Sequence, residues 1–371
     1  MSLMLWTVAI ALITAVACAL CGSLLVVKRE ALVSEGLSHA VLPGIIVGYL
    51  VFQDRSSPLL ILSAAAMGLL MVGLVQLIKR TGLVDSDASL GIVFSAMFSG
   101  GVILASQNLR NVHFHAQCII DGNLATAALK TIQWGGVDLG PQAFWSMMLT
   151  LGLILLFIGV FYKELKLMCF DESLARSMGF RPRLMHALWL ALVSITAVSA
   201  FESAGSILVV ALMIAPPAAA YLLTRSLFGM LCWSVLIAGL SSFVGVYVGY
   251  HLDIAPTGPI ALASGLFFFG VAVGAPGQGI YSRWKTRREQ QSFVFEQLLL
   301  VQFTGQLGVS SSSEGGQATR SSEWLYRQVA WNRRQFETAL VRCLDREWIL
   351  QNESGYLISQ GGKLQLDREF C

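Results

Sequence analysis

The residues best suited to chemistry lie in segment 34–39 (SEGLSH), which leads directly into an apolar stretch. On a helix, Glu35 and His39 are four residues apart and share one face, so a carboxylate and an imidazole point to the same place. Oxygen and nitrogen donors without a thiolate suit Mn²⁺, Fe²⁺ or Zn²⁺, whereas Mg²⁺ prefers oxygen alone. On a soluble helix the pair would be a surface contact, but an ionisable residue near a membrane indicates a functional site.

Five further residues are weaker candidates for metal binding, because a solvated loop position explains them as well. Two histidines two residues apart, ahead of Asp121, could collect cations at a channel mouth, and the other three residues lie in tight turns that could line an entrance. These candidates are His113, His115, Glu202, His251 and Asp253.

The elements that position these residues are predicted from composition. The chain of 371 residues is 55% apolar and 13% charged, against roughly 25% charged residues in soluble domains. Residues 1–280 carry 13 Lys/Arg and 12 Asp/Glu, and residues 281–371 carry 12 and 10. We therefore expect a membrane domain over 1–280 and a small soluble domain over 281–371.

The apolar runs predict an all-α polytopic membrane domain with nine spans, or eight if segment 113–130 is a surface or re-entrant helix. A span needs roughly 20 apolar residues. Seven runs are near that length and two, at 40–53 and 89–106, are shorter. The longer runs lie at about 5–27, 58–78, 143–162, 184–200, 205–223, 226–250 and 257–275.

Small residues and prolines indicate how the spans pack. GxxxG spacings at Gly44/Gly48, Gly245/Gly249 and Gly270/Gly274 allow close approach of helix backbones. Pro216-Pro217 frees backbone carbonyls within a span. That feature is consistent either with a kink beside a transport pathway or with a kink packed against another helix.

The distribution of cations predicts the orientation of the chain. With nine spans, most Lys and Arg residues of the membrane domain and its C-terminal flank fall on one side, and only Arg55, Arg110 and Lys130 fall on the other. The positive-inside rule then places the N-terminus outside and the C-terminal domain in the cytoplasm. We expect a multi-pass membrane protein.

The chain lacks its own motor for active transport. The sequence has no GxxxxGK[ST] phosphate loop and no HExxH or GxSxG motif. An ATP-driven function would need a partner ATPase, and the mixed-charge loop 163–183 is the best docking element. Within it, Phe170 to Gly179 is predicted to form a short helix, capped near Asp171 and ended by Gly179.

Four stretches in their order and spacing resemble the membrane permease subunits of bacterial ABC importers for manganese, zinc and iron(II), the ABC-3 family. The resemblance covers about residues 5–275. The stretches are KREALVSEGLSHAVLPG at 28–44, CFDESLARSMGF at 169–180, SAGSILVVALMIAPPAAAYLLT at 203–224 and YHLDIAPTGPIAL at 250–262.

The resemblance implies a transporter subunit without enzymatic activity and without a permanently bound cofactor. It implies a metal-path motif of Asp and His that falls on Glu35 and His39, with Glu here in place of the usual Asp. It further implies alternating access, in which an extracytoplasmic binding protein delivers the cation to the outer mouth, with a second permease chain and two ATPase chains. The residues implied to contact the ATPase are Phe170, Asp171, Glu172, Ala175 and Gly179.

The C-terminal 91 residues are predicted to form a cytoplasmic α/β domain with a loose loop at about 305–320. Their order of elements resembles a winged helix, and Ala339 to Lys363 is similar to diphtheria-toxin-repressor-type regulators. Asn332, Arg333, Arg334 and Gln335 would then open a DNA-reading helix. A net charge of +2 and the absence of histidine from 281–371 argue against DNA and metal sensing, so a protein-contact role is favoured.

Two other functions compete with the metal-ion permease. One is a membrane-tethered, metal-responsive transcription regulator, in which the bundle senses rather than transports. The other is a permease for a metal chelate such as a siderophore, which would not need an acid–histidine pair.

Overall fold

The computed structural model describes most of the membrane domain and parts of the C-terminal region. The described residues are 3–53, 59–108, 124–129, 131–134, 137–275, 279–282, 284, 299–300, 333–352 and 355–361. The elements are α1 (Leu3–Val27), α2 (Leu32–Phe52), α3 (Leu59–Thr81), α4 (Ser86–Asn108), α5 (Leu124–Ala127), β1 (Thr131–Trp134), β2 (Val137–Pro141), α6 (Gln142–Phe170), α7 (Glu172–Ser177), α8 (Pro182–Ala204), α9 (Ser206–Leu223), α10 (Leu227–His251), α11 (Thr257–Gly274), α12 (Arg333–Asp345), β3 (Ile349–Asn352) and β4 (Gly355–Ile358).

Nine helices in the described part of the chain are long and apolar enough to cross a membrane, which confirms the predicted polytopic helical class. They are α1 to α4, α6 and α8 to α11. The span predicted at 40–53 begins eight residues earlier, at Leu32. The polar residues of segment 34–39 lower the local hydropathy, so the apolar run alone underestimates this helix.

Helix α1 lies at the centre of the bundle, where it packs against α6, α8, α9 and α10. Cys18 and Cys21 of α1 are fully buried, as expected for packing residues. Ser23 of α1 and Ser234 of α10 share a hydrogen bond of 2.9 Å between their hydroxyl oxygens. The central helix is therefore fixed by both apolar packing and a buried polar contact.

The paired prolines of α9 are packed against another helix. Pro216 and Pro217 are both buried. Since proline has no N–H, Pro217 leaves the carbonyl of Met213 without its intrahelical donor. A Cβ added to Gly22 of α1 would overlap the Met213 carbonyl, so the backbones of α1 and α9 are in direct contact there. These contacts favour the packed interpretation over a kink that lines a pathway.

Two of the three predicted glycine pairs mediate close helix contacts. A Cβ on Gly44 of α2 would lie 2.6 Å from the Ala64 Cα of α3, and one on Gly48 would overlap Ser63. Gly245 and Gly249 of α10 approach Ile260 and Pro256 in the same way. A Cβ on Gly270 or Gly274 of α11 would have open space among the described residues, so that pair makes no helix contact there.

A β-hairpin precedes α6, and it was not expected in an all-α domain. Strands β1 and β2 pair antiparallel, with Trp134 opposite Val137 and Thr131 opposite Pro141. The short helix α5 lies just before the hairpin. Most of segment 113–130, including His113, His115 and Asp121, lies outside the described residues.

The chain divides into two compact units, Met1–Gly279 and Ile280–Cys371. In the second unit, α12 is followed by an antiparallel hairpin of β3 and β4, in which Ile349 pairs with Ile358 and Asn352 with Gly355. Its described core comprises Leu299, Leu300, Phe336, Ala339, Leu340, Cys343 and Ile349.

Candidate metal site and ATPase-contact helix

Glu35 and His39 both lie within α2, one turn apart, as the spacing predicts. The Glu35 side chain is exposed, and that of His39 is half-buried. Ser38, between them, donates its hydroxyl proton to the Glu35 carbonyl oxygen at 2.6 Å. The hydroxyl is thereby bound to the backbone, and the Glu35 carboxylate stays accessible.

Two phenylalanines of α4 surround the His39 ring. Phe94 stacks on the imidazole with ring centroids 5.0 Å apart and planes inclined by 16°. Phe98 meets the ring edge to face, at 5.5 Å and 80°. The two contacts restrict the rotation of the imidazole, so its orientation is set before a ligand arrives.

The backbone of α2 is held close to α3 and α4 around the pair. A Cβ on Gly36 would lie 2.6 Å from Leu90 Cδ2 of α4 and 3.3 Å from Met71 Sδ of α3. On the far side of His39, a Cβ on Gly101 of α4 would lie 2.8 Å from the Cβ of Pro43, which is inside α2. Close packing therefore fixes α2 both before and after the acid–histidine pair.

Within the ranges that the structure describes, no group of three or more His, Cys, Asp or Glu residues could hold a metal ion. Glu35 and His39 would supply two side-chain donors and leave other coordination positions to water or to further ligands. A site with few protein ligands can accept an ion and release it, whereas a structural site closes all four positions. The geometry is thus compatible with transient binding.

A second acid–histidine pair, which the sequence did not reveal, lies five residues earlier in the chain. Glu30, in the connection between α1 and α2, approaches Lys79 Nζ of α3 at 3.6 Å. Its other carboxylate oxygen is 3.2 Å from His186 Nε2 of α8. In the sequence, Glu30 is visible only as a single acid after Lys28 and Arg29. Its partners could not be identified because Lys79 and His186 are remote in sequence.

The Glu30 carboxylate is stabilised in its charged form. Partial burial alone would raise its pKa, but the contact with His186 and the positive charges of His186, Lys79 and Lys28 outweigh burial, so the pKa is lowered from 4.5. The side chains of Glu30, His186 and Lys79 are only 18%, 18% and 26% exposed. Glu30 and Lys79 therefore form a shielded ion pair, which the His186 ring also contacts.

The predicted short helix after Asp171 is confirmed as α7. The Leu174 N–H donates to Asp171 Oδ1 at 2.9 Å, so Asp171 is the N-cap. The backbone of Gly179 has a φ of +86°, which glycine adopts readily at the end of a helix. Glu172 accepts a hydrogen bond of 2.6 Å from Arg176 Nη2, and this bond lowers the pKa of Glu172.

One side of α7 is anchored and the other is free. Ala175 is buried. Large apolar side chains at both ends of the helix are exposed, with Phe170 at 61% and Met178 at 59%. Single exposed apolar residues are common, but a cluster on a charged, non-membrane helix is typical of a protein contact.

Among the residues whose side chains are described, neither His251 nor Asp253 joins Glu35 and His39 in a metal-binding group. His251 is exposed at the end of α10, where its ring contacts Tyr247 at 4.4 Å and Tyr250 at 6.0 Å. Asp253 is exposed in the following turn, with a φ of +52°. Glu202 lies in α8, but its side chain is outside the described set. These three remain predictions.

The residues proposed from sequence to contact DNA start helix α12 or directly precede it. Arg333 is exposed and pairs with Glu337 at 3.3 Å, one helical turn away. Arg334 and Gln335 belong to the helix, although their side chains are not described, and Asn332 lies outside the described residues. The Arg333 guanidinium is thus partly neutralised within its own helix.

The bundle of spans with an acid–histidine pair on one helix and a capped, exposed helix between two others is typical of a transporter's membrane subunit. The family described as the ABC 3 transport family matches residues 1–274. The chain therefore belongs to this family, whose match ends close to the boundary between the two compact units.

Individual relatives agree with this family membership. The chain is 38% identical over 283 residues to the manganese transport system membrane protein MntD of Bacillus subtilis, covering 76% of this chain and 96% of the relative. It is 40% identical over 276 residues to the zinc transport system membrane protein TroD of Treponema pallidum, covering 74% and 75%.

A solved structure also matches the membrane domain. It is PsaBC from Streptococcus pneumoniae in complex with Fab, with a TM-score of 0.63 and 28% identity, covering 75% of this chain and 94% of that chain. The similarity spans a comparable share of the chain in all three comparisons.

Proposed function

We propose that the protein is the membrane-spanning permease of an ATP-driven importer for divalent transition-metal ions. The observation that carries this proposal is the open acid–histidine pair of α2 within a chain of the ABC 3 transport family. Relatives are named for manganese and for zinc, and a further one is named a probable iron transport protein. Manganese, zinc and iron(II) are therefore the candidate substrates, and each accepts oxygen and nitrogen donors.

The start of α2 at Leu32 indicates where along the transport path Glu35 and His39 act. His39 is seven residues from Leu32, which is about 10 Å at 1.5 Å per residue. The cation-rich connection at Lys28 and Arg29 directly precedes that end of the helix, and the positive-inside rule assigns it to the cytoplasm. The pair thus acts in the inner part of the path, rather than at the outer mouth where the cation is delivered.

The proposed cycle places Glu35 and His39 as transient ligands between an outer and an inner opening. The Glu35 carboxylate supplies charge to a dehydrated cation, and the His39 nitrogen, oriented by Phe94 and Phe98, supplies a directional donor. Glutamate in place of the family's aspartate carries the carboxylate one methylene further from the helix. The cation is the transported substrate and not a resident cofactor.

We assign the energy source to a separate ATPase that contacts α7. The capped helix presents Phe170 and Met178 to a partner, while Asp171 and the Glu172–Arg176 pair keep it ordered. A second permease chain and an extracytoplasmic metal-binding protein complete the importer. The expected location is a bacterial inner membrane, with the N-terminus outside and the C-terminal unit in the cytoplasm.

For the C-terminal unit we retain the winged-helix assignment as a proposal. What supports it is the order of α12, β3 and β4, a helix followed by an antiparallel hairpin. A contact role beside the ATPase fits the partly neutralised Arg333 better than DNA binding does.

The test is uptake of radiolabelled Mn²⁺ by a strain whose own importers are deleted and which expresses this chain with its ATPase and binding protein. Unlabelled Zn²⁺ and Fe²⁺ are added as competitors, and a metal chelate serves as a fourth condition. We expect one free metal ion to compete best with the labelled Mn²⁺. We also expect Asp171→Ala to reduce uptake of the label. Competition by the chelate alone would contradict the proposal, as would normal uptake in a strain carrying both Glu35→Ala and His39→Ala.

A further inference from the structure

Glu30 joins three helices at the same side of the bundle. Its carboxylate contacts Lys79, in the last turn of α3, at 3.6 Å. It also contacts His186, in the second turn of α8, at 3.2 Å. His186 Nδ1 and Glu30 Oε2 are both buried without a geometrically aligned hydrogen-bond partner among the described residues. The Glu30 carboxylate and the His186 ring meet at ion-pair distance.

The backbone of Glu30 connects it to the helix that carries the acid–histidine pair. Its N–H donates to the Leu25 carbonyl of α1 at 2.8 Å, and its own carbonyl accepts from the Val33 N–H of α2 at 3.0 Å. Glu35 follows two residues after Val33. The backbone of Glu30 is thus hydrogen-bonded to the last turn of α1 and to the first turn of α2.

On the other side, His186 is connected by a short and rigid segment to α7. The Gly179 N–H donates to Arg176 O at 3.0 Å, and the Phe180 N–H donates to Ala175 O at 3.1 Å, which closes the end of α7. Pro182 then begins α8, where its fixed φ suits the first helical turn. A short connection thus leads from the end of α7 to the first turn of α8, directly before His186.

A small cavity of about 20 Å³ adjoins Glu30 and His186, and it is lined by Val33 of α2, Met71 of α3, Leu90 of α4 and Leu190 of α8. That volume is room for about one water molecule. The polar contact between Glu30 and His186 therefore lies beside apolar packing that also joins α2 to α8.

We propose that the Glu30–His186 contact transmits movement of α7 to α2, and that Glu30 is the positioning residue through which the ATPase acts on Glu35 and His39. This inference rests on the proposed function. Lys79 of α3 contacts the other oxygen of the same carboxylate at 3.6 Å, so α3 shares the contact. The contact joins two elements whose sequence separation is 156 residues.

The experiment uses the complete importer with its binding protein in proteoliposomes. Metal uptake and ATP hydrolysis are measured in the same vesicles for wild type, Glu30→Gln, His186→Gln and the double variant. Ser194→Ala is the matched control. The Ser194 hydroxyl donates to Ala65 O at 3.2 Å, so the substitution removes a polar contact between α8 and α3 that does not involve Glu30.

We expect Glu30→Gln and His186→Gln each to lower the metal transported per ATP at least about fivefold, the lower end of typical coupling between sites. ATP hydrolysis should continue. The double variant should be no worse than either single variant, since both remove the same contact, and Ser194→Ala should keep the wild-type ratio. Either single variant decides the question if the other fails to assemble.

Three results would overturn the link. They are a wild-type transport ratio in an assembled Glu30→Gln or His186→Gln importer, additive losses in the double variant, and an equal loss in Ser194→Ala. Wild-type vesicles that hydrolyse ATP but take up no metal would instead refute the proposed function, and the link with it.

Discussion

Two acid–histidine pairs lie near the start of α2 and differ in their surroundings. Glu30 and His186 contact each other across helices, are shielded from solvent and share Lys79 as a counter-charge. Glu35 is exposed and makes no ion pair within the described part of the chain. The His39 ring packs against the rings of Phe94 and Phe98.

The difference shows how the same two residue types serve different purposes. A carboxylate that is already neutralised by a lysine and an imidazole gains little from a cation, because the cation would have to displace them. A carboxylate without a counter-charge is available to bind one. We therefore assign transmission to the first pair and metal binding to the second.

The largest expected effect comes from removing the open pair. Glu35→Ala or His39→Ala should reduce metal uptake at least about a hundredfold, because loss of an outer-shell partner alone costs roughly 10–100-fold. Uptake is measured with all three metals in the complemented strain. Ser38→Ala, between the two residues, is the control and should leave uptake within about twofold. A similar loss in the control would mean that general damage to α2 explains the result.

Removing the closed pair should, besides its effect on coupling, lower the stability of the fold. Glu30→Ala leaves His186 and Lys79 without their shielded partner, at a cost of about 2–3 kcal/mol. Glu35→Ala should change stability by no more than about 0.5 kcal/mol, as for an exposed residue. The midpoints of thermal unfolding in detergent compare them. Equal shifts for the two variants would remove the distinction between the pairs.

A smaller effect is expected from the packing that fixes α2 beside His39. Gly101→Ala places a Cβ 2.8 Å from that of Pro43, and this overlap should cost about 1–2 kcal/mol. Gly100→Ala is the adjacent control, since a Cβ there meets nothing within 4 Å. Thermal unfolding and uptake are measured for both. Loss of uptake only in Gly101→Ala is the predicted result.

The smallest effect is the pH dependence of the closed pair. The pKa of Glu30 is lowered from 4.5 in the folded protein, so its contribution to stability is present above pH 4.5 and is lost as the pH falls below that value through the folded pKa. The stability difference between wild type and Glu30→Gln should therefore shrink as the buffer is acidified below pH 4.5. A difference that grows in that acid range would reverse the assigned sign.

Local features of the sequence predicted the spans and α7. Apolar length identifies membrane helices because the bilayer excludes other backbone structures, and Asp171 with Gly179 marks a cap and a stop that act over a few residues. The same locality explains the error at α2. Hydropathy placed the start of this span at residue 40. The helix begins at Leu32, because the polar positions of segment 34–39 are helical too.

The Glu30 contacts and the β-hairpin could not be predicted in this way. Lys79 and His186 reach Glu30 only after α3 and α8 have packed, so neither spacing nor charge patterning along the chain encodes the contact. Strands β1 and β2 are four and five residues long, too short for an alternating pattern to stand out. The pairing of Glu35 with His39 was accessible because both lie on one helical turn.

The proline inside α2 has a consequence for the main chain. Pro43 has no N–H, so the carbonyl oxygen of His39, four residues earlier, lacks its intrahelical donor. Carbonyl oxygens are ordinary ligands of hard divalent cations. Substituting the side chains at positions 35 and 39 leaves this carbonyl oxygen in place. Pro43→Ala instead supplies a backbone N–H that would donate a hydrogen bond to it. Residual cation affinity in a Glu35, His39 double variant would thus be a property of the backbone.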